Sequence, residues 1–350
     1  MGKRSEYQLK LKMQKHEKLN ELKNQLPDYV HHYLDDMVID YQINTLVAYA
    51  RDLITFFEFI QERNPVYKNT KIKDIPLSLL ESLTYQDITE YRNYLASNYG
   101  THMHTNQSSS IERRMAPLRG FFADACNNKI ISNNPTAIQN THRKKRKEKK
   151  EIVYLENDEV SRLLYYIDNS MVASEKQQKF CLKTHLRDMA IMTLLLNTGI
   201  RVSECVGIDM NDLNFTDNSV KIVRKGGNES TIYFNENTKQ ALQKYIELER
   251  PKFVSENGEK ALFLSSKHQR MAVRSIQAMV KKYSLEAIPN KNLSPHKMRS
   301  SYGTALYEQT GDIRLVADVL GHVDVTTTAK HYAAMKTKHM KQAGKIDPYA

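Results

Sequence analysis

The chain has 350 residues, 40% hydrophobic and 26% charged, the balance of a folded protein long enough for two domains. Lys and Arg exceed Asp and Glu by 52 − 40 = 12, a surplus that favours a polyanionic partner such as nucleic acid. No apolar run reaches membrane-spanning length and the opening MGKRSEYQLKLKMQKHEK has no signal-peptide core, so no membrane partner and a cytoplasmic protein are expected.

Residues 1–24 are rich in Lys and Glu, with Leu9, Leu11, Met13, Leu19 and Leu22 scattered among them, and read as a solvated basic tail, a disordered extension or a partly helical one. Pro27-Asp28 then opens a helix marked by Val30, Leu34, Met37 and Val38. A second begins near Asn44 or Thr45, with Leu46, Tyr49, Ala50, Leu53, Phe56, Phe57 and Ile60 forming a broad apolar stripe. That spacing assigns the aromatic cluster Phe56, Phe57, Phe59 to core packing and not to base stacking. Further helices follow Thr84 (Ile88, Tyr91, Leu95) and the polar run Asn106–Ser110 (Ile111, Met115, Leu118, Phe121, Phe122), the last with a kink expected at Pro117. The region from 25 to 140 reads as a bundle of four or five helices. Arg113, Arg114 and Arg119 on its last helix are candidate phosphate contacts, although solvated arginines give the same pattern.

Seven of the nine residues His142–Lys150 are Lys or Arg, so residues 141–152 cannot fold alone and read as a linker. Arg143, Lys144, Lys145 and Arg146 within it are suited to sequence-blind, salt-sensitive phosphate contacts. A second domain starts with a helix capped at Asn157-Asp158-Glu159, with Val160, Leu163, Leu164 and Ile167 on one face. The nearly unbroken apolar stretch Leu186–Leu196, closed by Gly199, predicts a central buried helix. Val220–Val223 and Thr231–Phe234, with Gly226, Gly227 and Asn228 between them, predict a hairpin. Ser294 caps a helix that opens with Pro295 and carries His296 and Arg299. Ile313, Val316, Ala317 and Leu320 make a shorter amphipathic helix that Gly321 ends, with His322 directly after it. Tyr332 falls in a last helix opening in Thr326–Thr328. Cys126, Cys181 and Cys205 lack zinc-ligand or disulfide spacing and read as buried free thiols.

Five motifs, in this order, resemble the tyrosine recombinase (phage integrase) family: Thr198-Gly199-Ile200-Arg201-Val202-Ser203-Glu204, Lys225-Gly226-Gly227, His296-Lys297-Met298-Arg299, Leu320-Gly321-His322 and Tyr332. Thr45, Tyr49, Asp52 and Leu53, then Leu118, Arg119, Phe121 and Phe122, and finally Asn134-Pro135 resemble patterns of the family's core-binding domain. The resemblance implies a mainly α fold with a small antiparallel β-hairpin or sheet. An N-terminal SAM-like helical core-binding domain (25–140) is joined by the linker to a mixed α/β catalytic domain (153–335), and a tail (336–350) is available for contact with another protomer.

The same resemblance implies a DNA strand-exchange chemistry with no metal and no cofactor. Tyr332 is the nucleophile, Arg201 and Arg299 hold the scissile phosphate, and His296 and His322 assist. Lys225 protonates the leaving oxygen, with Arg224 and Lys221 its rivals in the hairpin. Glu204 is expected as a salt bridge or cap. The spacing from His322 to Tyr332 is one residue longer than is common in the family. Guanidinium forks suit phosphate oxygens and stay charged at any relevant pH, and a phenol with a pKa near ~10 needs cationic neighbours. The implied partners are double-stranded DNA, further copies of the chain in a tetramer on two sites, and accessory DNA-bending factors. A type IB topoisomerase-like enzyme or a non-catalytic DNA-binding regulator are the alternatives.

Overall fold

Helices account for most of the chain and gather into two units, Ser5–Lys147 and the chain from Glu148 onward. The computed structural model describes residues 6–97, 108–137, 154–171, 175–224, 226–255, 259–322 and 325.

In the first unit α1 (Glu6–Lys23), α2 (Asp28–Asp36), α3 (Ile43–Arg63), α4 (Leu77–Ser82), α5 (Tyr85–Ser97) and α6 (Ser108–Asn127) share one core. The stripe read from the sequence makes α3 its centre, in contact with α1, α5 and α6. Phe56, Phe57 and Phe59 are buried, and the Phe56 ring meets Tyr91 edge-on at 5.1 Å. The aromatic cluster is therefore core, as its spacing implied. The N-terminal stretch takes the helical of its two expected forms: residues 6–23 form a helix, not a disordered extension, because Leu19 and Leu22 are buried with the α3 core. Helix α6 continues on both sides of Pro117, whose ring is buried.

Two of the three arginines of α6 pair with acids of the bundle. Arg113 makes a two-pronged bond to Asp52, Nη1 to Oδ2 at 2.9 Å and Nη2 to Oδ1 at 3.2 Å. The Asp52 side chain is only 6% exposed. Burial pushes its carboxyl upward in pKa while the Arg113 guanidinium, with Arg114 nearby, draws it back. Arg119 donates to the Glu112 carboxylate at 3.1 Å and to its carbonyl, and Glu112 also meets Arg92 at 2.8 Å. Arg113 and Arg119 thus take part in ion pairs of the bundle while their side chains stay partly exposed.

The second unit is built around α9 (His185–Thr198), with α7 (Asn157–Asp168) and α8 (Glu175–Cys181) before it. Every residue from Ala190 to Leu196 is buried. Its first turn is capped from outside: the buried Glu249 carboxylate accepts the N–H groups of Leu186 and Arg187, each at 3.0 Å. At α7 the sequence reading was one residue late, for Glu156 precedes the helix and gives its N–H to Glu159 Oε2 at 2.8 Å. After α10 (Val202–Val206) come β1 (Leu213–Asn214), β2 (Ser219–Val223) and β3 (Glu229–Tyr233), an antiparallel sheet in the order β1-β2-β3. The expected hairpin is β2–β3, with Val220 opposite Ile232, and β1 is an added edge strand. Helices α11 (Glu236–Lys244), α12 (Val273–Ala287), α13 (Pro295–Thr310) and α14 (Ile313–Leu320) follow, and α7, α11 and α13 pack on α9. Cys181 and Cys205 are buried as expected, whereas Cys126 is half-buried.

Helix α9 ends at Gly199 in the left-handed region (φ 62°), and a Cβ there would lie 2.5 Å from Tyr302 Cδ1 and 2.9 Å from Leu320 Cδ2. Gly311 ends α13 with nearly the same φ, 67°, but nothing lies within 4 Å of its missing Cβ. Gly199→Ala should therefore lose about 2–5 kcal/mol and Gly311→Ala about 1 kcal/mol. Thermal and urea unfolding of the full chain checks the difference, and equal losses would contradict the packing. In the first unit, Arg113→Ala should cost about 1–3 kcal/mol, the lower part of the range for a broken buried pair because Arg113 is half exposed. Arg119→Ala should cost about 0–1 kcal/mol, because its partner Glu112 is itself half exposed and not buried like Asp52. The Arg113 deficit should shrink as pH falls, because Asp52 has a raised folded pKa and, once protonated, no longer needs the guanidinium.

Candidate active site

The second unit brings three of its expected site segments to one buried side chain. Ser294 accepts the Lys297 N–H at the start of α13, and one turn further on Arg299 points inward, 4% exposed. Its Nη1 donates to the carbonyl of Gly199 at 2.6 Å and its Nη2 to the carbonyl of Leu320. Gly199 closes α9 and Leu320 is the last residue of α14. Carbonyls at helix C-termini have no partner in the next turn and carry the negative end of the helix dipole, so they stabilise a buried cation.

Arg201 leaves the α9 end two residues after Gly199 and sits at the N-cap of α10. Glu204, 5% exposed, takes its backbone N–H at 2.8 Å and its Nη1 at 2.8 Å. Glu204 is thus both salt bridge and cap, as the sequence reading had it. Arg224, at the end of β2, approaches the other Glu204 oxygen at 3.9 Å and donates to the carbonyls of Leu320 at 3.0 Å and Val319 at 2.7 Å. Burial lowers the Arg224 pKa and Glu204 raises it again. Arg201 and Arg224 therefore share one carboxylate, and Arg224 shares the Leu320 carbonyl with Arg299, an accumulation of cations suited to an anion.

His322 follows α14 directly. Gly321 takes φ 61°, and the His322 N–H returns to the carbonyl of Ala317 at 2.9 Å, so its backbone is fixed by the end of the helix. It is half-buried. His296 lies one turn before Arg299 on α13 but is exposed, and its carbonyl accepts the Ser300 hydroxyl at 3.2 Å. The structure thus brings the segments that carry Arg201 and His322 to Arg299 and leaves His296 exposed on α13. Lys225, Tyr332, Arg143, Lys144, Lys145 and Arg146 lie outside the described residues. Of the rivals to Lys225, Arg224 is bound to the α14 carbonyls and Lys221 is exposed on β2. The hold of Arg224 on α14 was missed, since no local spacing signals a contact across 96 residues. Asp209 pairs with Arg270, and among the described residues no group of three or more His, Cys, Asp or Glu is placed to hold a metal ion.

Sequence comparison accounts for both halves. The phage integrase family matches residues 153–339, and the phage integrase SAM-like domain matches residues 25–147. The chain is 32% identical over 314 residues to tyrosine recombinase XerC of Caldanaerobacter subterraneus subsp. tengcongensis, covering 87% of this chain and 82% of that protein. It is 30% identical over 337 residues to tyrosine recombinase XerS of Streptococcus agalactiae, covering 89% and 93%. Its fold is similar to that of the XerH site-specific recombinase bound to palindromic difH substrate in a post-cleavage complex, with TM-score 0.59, 20% identity and coverage of 86% and 78%. A lambda integrase dimer bound to a COC′ core site gives TM-score 0.59, 16% identity and coverage of 87% and 93%. With both halves matched and such relatives along most of its length, the chain belongs to the phage integrase family of tyrosine recombinases and is a site-specific DNA recombinase.

Proposed function

We propose that the enzyme cleaves and rejoins double-stranded DNA through Tyr332, without metal or nucleotide cofactor. The phenolic oxygen of Tyr332 attacks the scissile phosphorus, the bond to the 5′ oxygen breaks, and a 3′-phosphotyrosyl link and a free 5′-hydroxyl result. Attack by the partner strand's 5′-hydroxyl reverses the step and releases the tyrosine, so the bond energy is conserved. Arg201 and Arg299 oppose the charge that builds on the non-bridging oxygens, and His322 donates to one of them. His296 accepts or orients the phenolic proton, and Lys225 delivers one to the leaving 5′ oxygen. The observation that carries this reading is the Arg299 guanidinium, which holds the chain stretch leading to Arg201 and the helix end leading to His322 at one point.

The domain plan fits this chemistry. Residues 25–140 form the core-binding domain and 153–335 the catalytic domain, with Arg143, Lys144, Lys145 and Arg146 of the linker following the phosphate backbone between them. Arg113, Arg114 and Arg119 of α6 are its candidate DNA contacts, and the ion pairs of Arg113 and Arg119 leave their side chains 50% and 38% exposed. Four protomers assemble on two DNA sites, exchange strands in pairs through a Holliday junction and use residues 336–350 between protomers. Accessory DNA-bending factors assist where the site requires them, and the reaction takes place in the cytoplasm.

A duplex selected from a random-sequence pool for binding, then nicked to trap the cleaved state, tests the assignment. Tyr332→Phe should abolish the covalent protein–DNA adduct while DNA binding persists. Arg201→Lys, which keeps the charge but loses the fork, should slow adduct formation by about 10²–10³-fold. Undiminished adduct in Tyr332→Phe would remove that residue from the mechanism.

A further inference from the structure

Arg224 does two jobs at once. Its backbone closes the β2–β3 turn, accepting the Gly227 N–H at 3.0 Å and donating to the Asn228 carbonyl at 2.8 Å. Its side chain leaves the hairpin and ends on the last turn of α14, Nη2 on the Val319 carbonyl at 2.7 Å and Nη1 on the Leu320 carbonyl at 3.0 Å. The side chain is 10% exposed, so neither Nη is presented to an incoming phosphate. It also covers Gly321, where a Cβ would lie 2.8 Å from Cζ and Nη1 and 2.9 Å from Nε.

The Leu320 carbonyl also accepts from Arg299, so two guanidinium groups from two different elements meet on one oxygen. One contact fixes the position of a helix end. A second contact, on the neighbouring carbonyl, fixes its rotation. Gly321 and His322 are tied back to the carbonyls of Asp318 and Ala317, so His322 moves with the end of α14. Without the second contact, rotation at the helix end would swing the imidazole. Arg224 is also tied through Glu204 to Arg201, so the hairpin, the α10 cap and the α14 end share one charged clasp.

We propose that Arg224 is a positioning residue: it sets the direction in which His322 leaves α14, and so the reach of that imidazole to the scissile phosphate. The proposal rests on the reading of His322 given above. Arg224 itself touches neither DNA nor the reacting atoms.

The test is single-turnover adduct formation on the selected, nicked duplex, with Arg224→Gln and Arg224→Lys each made alone and combined with His322→Ala. Arg224→Gln should slow adduct formation by about 10–100-fold, the penalty of a catalytic group displaced by about an ångström, with DNA affinity unchanged. Arg224→Lys, which can hold one carbonyl but not both, should fall between Arg224→Gln and the parent. In the His322→Ala background neither change should slow the reaction further, because the group being positioned is gone. Losses that multiply, or an Arg224→Gln enzyme as fast as the parent, would overturn the proposal while leaving His322 in its role. A His322→Ala enzyme as fast as the parent would overturn the reading of His322 and the proposal with it. Should Arg224→Gln not fold, the Arg224→Lys pair decides by the same criterion.

Discussion

A buried guanidinium shared by two helix C-termini is the interaction on which the site depends. Arg299 lies 100 residues from Gly199 and 21 from Leu320, and its two hydrogen bonds make neighbours of segments that the sequence keeps apart. The arrangement also settles an energetic problem. A buried cation is costly by several kcal/mol unless polar groups face it. Two helix ends, each worth roughly half a negative charge, contribute to stabilising it through their carbonyl dipoles.

The rest of the second unit follows from that requirement. The buried helix α9 must stop abruptly for its last carbonyl to face Arg299, and Gly199 supplies the left-handed turn beside Tyr302 and Leu320. Helix α14 must end where the same guanidinium can reach it, and Gly321 ends it there. Glu204 prevents the accumulated positive charge from pushing the segments apart: it holds Arg201 closely and Arg224 more distantly. One acid shared by Arg201 and Arg224 stabilises the folded site and still leaves an excess for an anion. The N-terminal bundle solves a similar problem differently, by pairing the buried Asp52 directly with Arg113.

Much of this was legible in the sequence because local periodicity and end signals survive folding. The stripes of α3, α6 and α9, the Ser294 cap and the terminal glycines at 199 and 321 all follow from rules that act within one helix. The order of the five motifs likewise singled out three segments that do meet, at Arg299. What could not be read was long-range. Arg113 has the look of a solvated phosphate contact until Asp52, 61 residues away, is placed against it. Arg224 reads as a turn residue until α14 is folded over the hairpin. Helix α1 was partly hidden by its Lys and Glu content, since only Leu19 and Leu22 reach the core, and the six residues of α4 are too few to show a period.

A structure of the Tyr332→Phe enzyme on its selected duplex is the most direct measurement. The account predicts one phosphate whose non-bridging oxygens lie about 3 Å from donors of Arg201, Arg299 and His322 together. Finding Arg201 still held only by Glu204, with Arg299 and His322 directed at different phosphates or at none, would contradict it.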